Sequence, residues 1–212
     1  LPCGNRIKLL TLVPDAGGSL PEFSAGAHID LHLANGLIRQ YSLCDYPVQN
    51  NAYSIAVLRE DESRGGSHYI HDGLKVGDTV EISEPRNLFP LAEQQNRALL
   101  FAGGIGITPL IAMFEALLQQ GIEVKLYYFC RSEADAAFLE RLQQADANGK
   151  VEICYQSPRT SPELLWRIIE EPAEGLHLYT CGALGFMDAV FQTAEANGGP
   201  AGRLPREVFV GG

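Results

Sequence analysis

Apolar and polar residues alternate along the first part of the chain, and this two-residue period predicts β-strands. Five such runs lie between residues 6 and 83, separated by clusters of Gly, Asn and Asp. The dipeptide Asn35 and Gly36 lies between two of the runs and favours a hairpin turn. A short helical turn is expected at 67–72. Several short antiparallel strands predict a small barrel or sandwich.

The pattern changes near residue 97. Strand-like runs now recur at intervals of about 25 residues, and each is followed by an apolar set with helical spacing. Repeated strand–helix units predict a parallel sheet covered by helices on both faces. The last strand is expected at 207–210. The polar, proline-bearing stretch 90–96 marks the predicted boundary between a β domain (1–95) and an α/β domain (96–212).

The stretch 99–110, LLFAGGIGITPL, connects a buried strand to a helix through glycines. Thr108 is predicted to be the N-cap of that helix and Pro109 its first residue. Gly104 and Gly106 allow either a tight turn or a site where an anion approaches the helix N-terminus. The carboxyl ends of parallel strands meet at one edge of a sheet, so this turn should lie near Cys181. That convergence favours a ligand crevice.

Two earlier motifs carry further candidate chemistry. Strand alternation places Arg39 and Tyr41 on one face, where an arginine can hold a phosphate and a ring can pack on a flat heterocycle. Ser42 adds a hydroxyl that can bond a ring nitrogen. The segment 64–67, RGGS, could cradle a phosphate. An amphipathic strand and a solvent loop are the alternatives, and Cys181 could equally be a small buried hydrophobe.

Composition narrows the classes of partner. The 212 residues are 46% hydrophobic with a formal charge of −10, which argues against nucleic acid. No apolar run approaches the roughly 20 residues of a membrane span, and no signal-peptide pattern is present. The five cysteines lack a C-x-x-C pair, which suits a reducing cytoplasm and disfavours a zinc or iron–sulfur site. His68 and His71 are expected to be packing residues, so no metal is assigned.

The ordered motifs RQYSL, RGGS, AGGIGITPL and YTCG resemble those of the ferredoxin–NADP reductase superfamily. The similarity is greatest to reductase components of Rieske-type oxygenases, the group of phthalate dioxygenase and vanillate demethylase reductases. PRNLFPL (85–91) and YYFCRSEADAAF (127–138) extend the resemblance over nearly the whole chain. It implies two domains: an antiparallel β-barrel that binds flavin, then an α/β nucleotide domain with a five-stranded parallel sheet.

The resemblance also implies how the flavin is held. Arg39 would contact its phosphate, Tyr41 would lie against the isoalloxazine, and Ser42 would hydrogen-bond near N5. The resemblance implies FMN rather than FAD as the flavin, which fits a chain with no obvious extra loop for an adenosine. The remaining flavin contacts implied are Gln40, Ala56, Leu58, Gly65, Gly66, Ser67 and Phe209, the last an aromatic that closes over the ring.

For the nucleotide, the resemblance implies a second set of contacts. Cys181 would stand near the reactive nicotinamide carbon and is, with Ser42, a candidate catalytic residue. The other implied contacts are Gly104, Gly106, Thr108 and Pro109 beside nicotinamide and ribose, Arg131 and Ser132 near adenosine, and Gly182. Two departures stand out. Ala183 replaces a proline usual in the group, and the chain ends at Gly212 without the group's plant-type iron–sulfur domain, which is then removed or a separate protein.

The function expected from these features is hydride transfer from NADH to FMN, followed by release of single electrons. The acceptor would be a 2Fe–2S domain or a ferredoxin that serves a Rieske-type terminal oxygenase. NADH is favoured over NADPH, although Arg131 would suit a 2′-phosphate. The alternative is a non-catalytic flavin-binding subunit for electron transfer or regulation within a larger complex.

Overall fold

The computed structural model of the chain describes residues 6–145, 149–155, 163, 165, 176–196 and 206–208. The first half of the chain consists mainly of strands, whereas strands and helices alternate in the second half. In chain order they are β1 (Ile7–Leu12), β2 (His28–His32), β3 (Ile38–Ser42), β4 (Tyr53–Leu58), α1 (Gly66–Asp72), β5 (Glu81–Ile82), β6 (Arg97–Gly103), α2 (Ile107–Gln119), β7 (Glu123–Phe129), α3 (Leu139–Ala145), β8 (Val151–Cys154), β9 (Leu176–Gly182), α4 (Leu184–Ala196) and β10 (Arg206–Val208).

The first half is antiparallel, as its alternation predicts. β1 pairs with β4, while β3, β2 and β5 form a three-stranded sheet. The predicted hairpin turn joins β2 to β3, with Gly36 at φ +85° and Leu33 N–H donating to the carbonyl of Leu37 at 2.8 Å. Ile29, Ile55 and residues around them form a shared apolar core. The described residues thus form two antiparallel sheets, and closure into a barrel stays a prediction.

The second half contains one parallel sheet in the order β10-β9-β6-β7-β8. Both faces of central β6 are buried. Leu100 packs in a core that includes residues of α2 and α3, whereas Phe101 packs in one that includes residues of α4. This two-sided burial explains the unbroken apolar run at 98–102. β10 covers three residues (Arg206–Val208) and begins one residue before the predicted position.

The two halves are tied together through the predicted boundary segment. The hydroxyl of Tyr179 on β9 donates to Gln95 Oε1 at 3.1 Å and accepts from Ala92 N–H at 2.9 Å. Phe89 stacks on the same tyrosine ring, with centroids 6.2 Å apart. The segment around 90–96 is therefore held against the parallel sheet. The domain limits 1–95 and 96–212 remain a prediction.

Candidate functional site

The RQYS and RGGS motifs come together at one place. The Arg39 side chain runs along the backbone of Gly66, and a Cβ built on Gly66 would lie 2.6 Å from Arg39 Nε and 2.8 Å from its Cγ. Any side chain at position 66 would displace the arginine. Gly65 precedes α1 at φ +101°, a left-handed conformation that glycine adopts without steric cost. The two glycines therefore let Arg39 lie flat at the start of α1.

Two side-chain polar atoms of β3, Arg39 Nε and Ser42 Oγ, are buried and have no hydrogen-bond partner among the described residues. A buried donor or acceptor without a partner costs roughly 1–3 kcal/mol, so native structures rarely keep one without a reason. A guanidinium N–H suits an anionic oxygen, and a hydroxyl can donate to or accept from a ring nitrogen. This donor set fits a flavin phosphate and ring, the group that the sequence implies here.

A network of backbone contacts fixes α1 beside Arg39. Ser67 Oγ accepts from Glu60 N–H at 3.2 Å, and ring nitrogens of His68 and His71 contact the carbonyls of Glu60 and Val57 at 2.6 and 2.7 Å. Lys8 of β1 donates to three carbonyls at the end of α1, those of Ile70, His71 and Leu74. Sequence reasoning missed Lys8. Its only signal was a lysine inside an otherwise apolar strand.

The remaining flavin-side residues are spread over neighbouring surfaces. Gln40 is exposed on the face of β3 opposite Arg39 and Tyr41. Ala56 and Leu58 share one face of β4, and this strand lies against the 3₁₀ turn Gly104–Gly106 of the second half. β4 therefore brings the flavin-side residues up to the glycine turn. Phe209 lies outside the described residues.

The glycine turn packs directly on the end of β9. A Cβ on Gly106 would lie 2.1 Å from the carbonyl oxygen of Cys181, and one on Gly182 would lie 3.0 Å from that of Gly103. Gly104 is exposed at φ +54°, and a Cβ there would meet nothing within 4 Å. The expected convergence of strand ends is thus present: three glycines allow close packing, and the fourth borders open space.

The helix after the turn begins two residues earlier than predicted. Gly106 occupies the N-cap position of α2 without a side-chain cap, and the 3₁₀ turn runs straight into the helix at Ile107. Thr108 is therefore not the N-cap, and its buried hydroxyl donates to the carbonyl of Ile105 at 3.1 Å. Pro109 is the third helical residue, where a missing N–H is still harmless because the first-turn N–H groups have no intrahelical acceptor.

The other predicted nucleotide residues lie at strand ends with different exposures. Cys181 is fully buried in the core that contains α2. Arg131 and Ser132 are exposed after β7, and Ser132 Oγ donates to Asp135 Oδ2 at 2.9 Å. This pair begins a single 3₁₀ turn, Glu133–Asp135, and helix α3 starts only at Leu139. The strand ends are close together, but only some of these side chains reach the surface.

Tyr41 gives a pH-dependent signature of the flavin-side cluster. Burial of the phenol raises its pKa to about 12, opposed by the Arg39 charge and reinforced by Glu60. Because the unfolded phenol ionises near 10.0, we expect Tyr41 to contribute stability below pH 10 that is lost as pH rises to about 12. Denaturant unfolding of wild type and Tyr41→Phe should show a stability difference constant to pH 10 and then shifting against wild type. A difference that stays constant up to pH 12 would contradict this.

No group of three or more His, Cys, Asp or Glu side chains among the described residues is arranged to hold a metal ion. No helix in the same part of the chain has the length and apolar character needed to cross a membrane.

Comparison with known proteins identifies the family of the second half and relatives of the whole chain. Residues 100–192 match the model of the oxidoreductase NAD-binding domain. The chain is 46% identical over 201 residues to vanillate O-demethylase oxidoreductase of Pseudomonas sp. strain HR199, covering 94% of this chain and 63% of that protein. It is 41% identical over 209 residues to the tert-butanol monooxygenase / tert-amyl alcohol desaturase reductase subunit of Aquincola tertiaricarbonis, covering 98% and 61%.

A solved structure gives the same result for the fold. The chain superposes on phthalate dioxygenase reductase, described as a modular structure for electron transfer from pyridine nucleotides to 2Fe–2S, with a TM-score of 0.90 and 35% identity. The match covers 98% of this chain and 64% of that one, so the chain spans about three fifths of the length of these relatives. The resemblance seen in the motifs is confirmed. The chain carries an oxidoreductase NAD-binding domain and is close, in sequence and in fold, to the reductases of vanillate O-demethylase and phthalate dioxygenase.

Proposed function

We propose that this chain is a flavin-dependent NADH reductase module that supplies electrons to an oxygenase. The observation that carries the proposal is the pair of buried atoms of β3 that have no hydrogen-bond partner among the described residues, Arg39 Nε and Ser42 Oγ. Bound flavin would supply the redox chemistry, since it accepts two electrons with a hydride and releases them one at a time. The protein would contribute binding, orientation and exclusion of water.

Each side chain of the flavin cluster has a distinct task in this proposal. Arg39 would neutralise and orient the phosphate through Nε. Its side chain lies against the backbone of Gly66, where the absence of a side chain leaves room for it. Ser42 would hold a hydrogen bond at a ring nitrogen from a water-poor position, being 2% exposed. Tyr41, half-buried on the same face as Arg39, would pack along the ring. We propose FMN over FAD, which chromatography of heat-released flavin would decide.

On the nucleotide side, the glycine turn would let the pyridine ring approach the backbone. Gly104 borders open space, and Gly106 keeps the turn close to Cys181. Stacking of the nicotinamide on the flavin between the two halves is a proximity effect. Thr108 would act by holding the turn through Ile105, not by direct contact, because it is buried. Arg131 and Ser132 would meet the adenosine half, and comparing catalytic efficiencies with NADH and NADPH tests the preference for NADH.

The electron acceptor in this proposal is an iron–sulfur domain or a ferredoxin, in line with the 2Fe–2S named for phthalate dioxygenase reductase. The terminal partner would be an oxygenase, as the names of the relatives suggest. We propose a cytoplasmic location, because the four cysteines among the described residues form no disulfide. The acidic chain would favour a partner with a basic docking surface.

The experiment that tests the proposal is an absorbance spectrum of the purified protein before and after anaerobic addition of NADH. A yellow protein that bleaches supports both binding sites and hydride transfer together. Yellow colour without bleaching by NADH or NADPH would favour the non-catalytic subunit. A colourless protein that takes up neither FMN nor FAD would refute the flavin site.

Ser42→Ala separates flavin binding from flavin reduction. We expect FMN affinity within about threefold of wild type and a limiting rate of NADH-driven reduction lower by about 100-fold, the lower end of the range that one positioned hydrogen-bond donor contributes. The flavin-free variant should be no less stable than wild type, because the deleted hydroxyl has no hydrogen-bond partner among the described residues. Rapid-mixing absorbance and thermal unfolding measure the two effects. Equal reduction rates would remove Ser42 from this role.

A further inference from the structure

Arg141 of α3 makes a set of polar contacts that the proposed chemistry does not use. Its Nε and Nη2 each lie 2.7 Å from Glu115 Oε1. Its Nη1 donates to Asp45 Oδ1 at 2.8 Å, and Nη2 donates to the carbonyl of Cys44 at 2.9 Å. Burial opposes the charge of Arg141, but the Glu115 and Asp45 carboxylates outweigh it and raise its pKa. The guanidinium is thus permanently charged, and each of its three nitrogens has a hydrogen-bond acceptor.

The partners of Arg141 belong to the two halves of the molecule. Asp45 and Cys44 are 96 and 97 positions away in sequence and lie three and two residues after Ser42, the last residue of β3. Glu115 belongs to α2, the helix that starts at the glycine turn. One planar group therefore connects the strand that ends at Ser42 with the helix that starts beside Gly106.

Side-chain packing does not fill the space between the halves at this edge. A cavity of about 1000 Å³ adjoins the Arg141 contacts. Leu9, Asp45 and Ser54 line it from the first half, and residues between Glu133 and Gln144 line it from the second. At this edge the contacts of Arg141 with Asp45 and Cys44 join two surfaces that do not touch across the cavity.

We propose that Arg141 is a positioning residue that sets the distance between the flavin-side strand and the glycine turn, and thereby the stacking of nicotinamide on flavin. The inference rests on the proposed function. A guanidinium is needed because its fixed fork reaches two carboxylates and a carbonyl at once, whereas an ammonium offers a single nitrogen. Transfer between stacked rings is sensitive to displacement, since a shift of about 1 Å costs on the order of 100-fold in rate.

The test uses Arg141→Lys and Arg141→Gln in the flavin-loaded protein, with Arg97→Gln as the matched control. Arg97 Nε lies 3.6 Å from Glu123 Oε1, and both residues belong to the second half. Loss of the Arg97 side chain therefore leaves the contacts between the two halves in place. We expect the limiting reduction rate at saturating NADH to fall about 10- to 100-fold in both Arg141 variants. The dissociation constant for NADH should change by less than about threefold, and Arg97→Gln should match wild type.

Amide hydrogen exchange of the flavin-free protein provides a readout independent of activity. Exchange at 43–46 should become faster in Arg141→Gln and stay unchanged in Arg97→Gln. Should Arg141→Gln fail to fold, Asp45→Ala removes one contact between the two halves and leaves the Glu115 pair in place.

Three results would overturn the inference: a wild-type rate in Arg141→Lys, an effect confined to NADH affinity, or unchanged exchange at 43–46. Failure of the proposed function is distinct from all three. It would appear as absence of flavin or of reduction in wild type itself, and the exchange comparison would still decide whether Arg141 joins the halves.

Discussion

Alanine at position 106 is expected to abolish NADH-driven reduction and to lower the thermal midpoint of the protein. Gly106 has φ −60° and ψ −9°, a conformation that alanine adopts readily, so backbone strain is not the reason. The reason is space, because the new Cβ would lie 2.1 Å from the carbonyl oxygen of Cys181 and 2.7 Å from the amide nitrogen of Gly182. β9 cannot retreat, since it is hydrogen-bonded to β6 on one side and to β10 on the other.

Overpacking of this kind costs typically 1–3 kcal/mol, occasionally more. The displaced turn would also lose the backbone geometry proposed to receive the nicotinamide. Thermal unfolding and titration with NADH measure the two effects. Gly121→Ala is the matched control: its φ is +70°, so alanine is strained by roughly 1–2 kcal/mol, but its Cβ would meet nothing within 4 Å. We expect the control to lose stability and keep NADH affinity. A Gly106→Ala protein with both properties at wild-type values would contradict the packing argument.

Loss of the Arg39 side chain is expected to weaken flavin binding more than any other change on that side. Hydrogen bonds to charged groups contribute about 1.5–3 kcal/mol, so Arg39→Ala should lower FMN affinity about 10- to 150-fold. Arg39→Lys should recover only part of this, because lysine has no side-chain N–H at the position of Nε. Quenching of flavin fluorescence on titration into flavin-free protein measures the affinity.

Arg86→Ala is the control for general electrostatics in the same half. Arg86 pairs with Asp30 at 2.6 Å, and Asp30 lies opposite Gln40, on the face of the sheet away from Arg39. We expect its FMN affinity to stay within about twofold of wild type. An equal loss in both alanine variants would mean that Arg39 acts only through the net charge of the half, and the assignment of its Nε to the phosphate would be wrong.

Sequence was sufficient wherever a local rule decided the structure. The Asn35 and Gly36 turn fixed the β2–β3 hairpin, and the two-residue period then placed Arg39 and Tyr41 on one face. The rule that parallel strands end at one edge predicts that the glycine turn lies near Cys181, and Gly106 packs against the carbonyl of Cys181. These arguments need only the pattern within each segment.

Other features depended on contacts that leave no local signal. Thr108 and Pro109 have the composition of a helix start, yet the 3₁₀ turn before them begins the helix at Ile107. Lys8 reaches carbonyls 62 to 66 positions away, and Arg141 reaches partners nearly 100 positions away. Such side-chain reach is set by tertiary packing. The catalytic roles of Ser42 and Cys181 remain predictions. So do the individual flavin and nucleotide contacts and the choice of FMN over FAD.

β9 lies inside the parallel sheet, between β10 and β6, and this position limits where the chain can be shortened. β6 obtains one neighbour from β7, which follows closely in sequence, and the other from β9, whose Thr180 hydroxyl bonds the carbonyl of Phe101 from 79 positions away. A fragment cut before Leu176 would keep the buried run 98–102 but expose one edge of its strand. An apolar strand with an unpaired edge is a template for association with other chains. Shortened versions of the second half are therefore expected to aggregate, and any expression fragment should extend beyond β9.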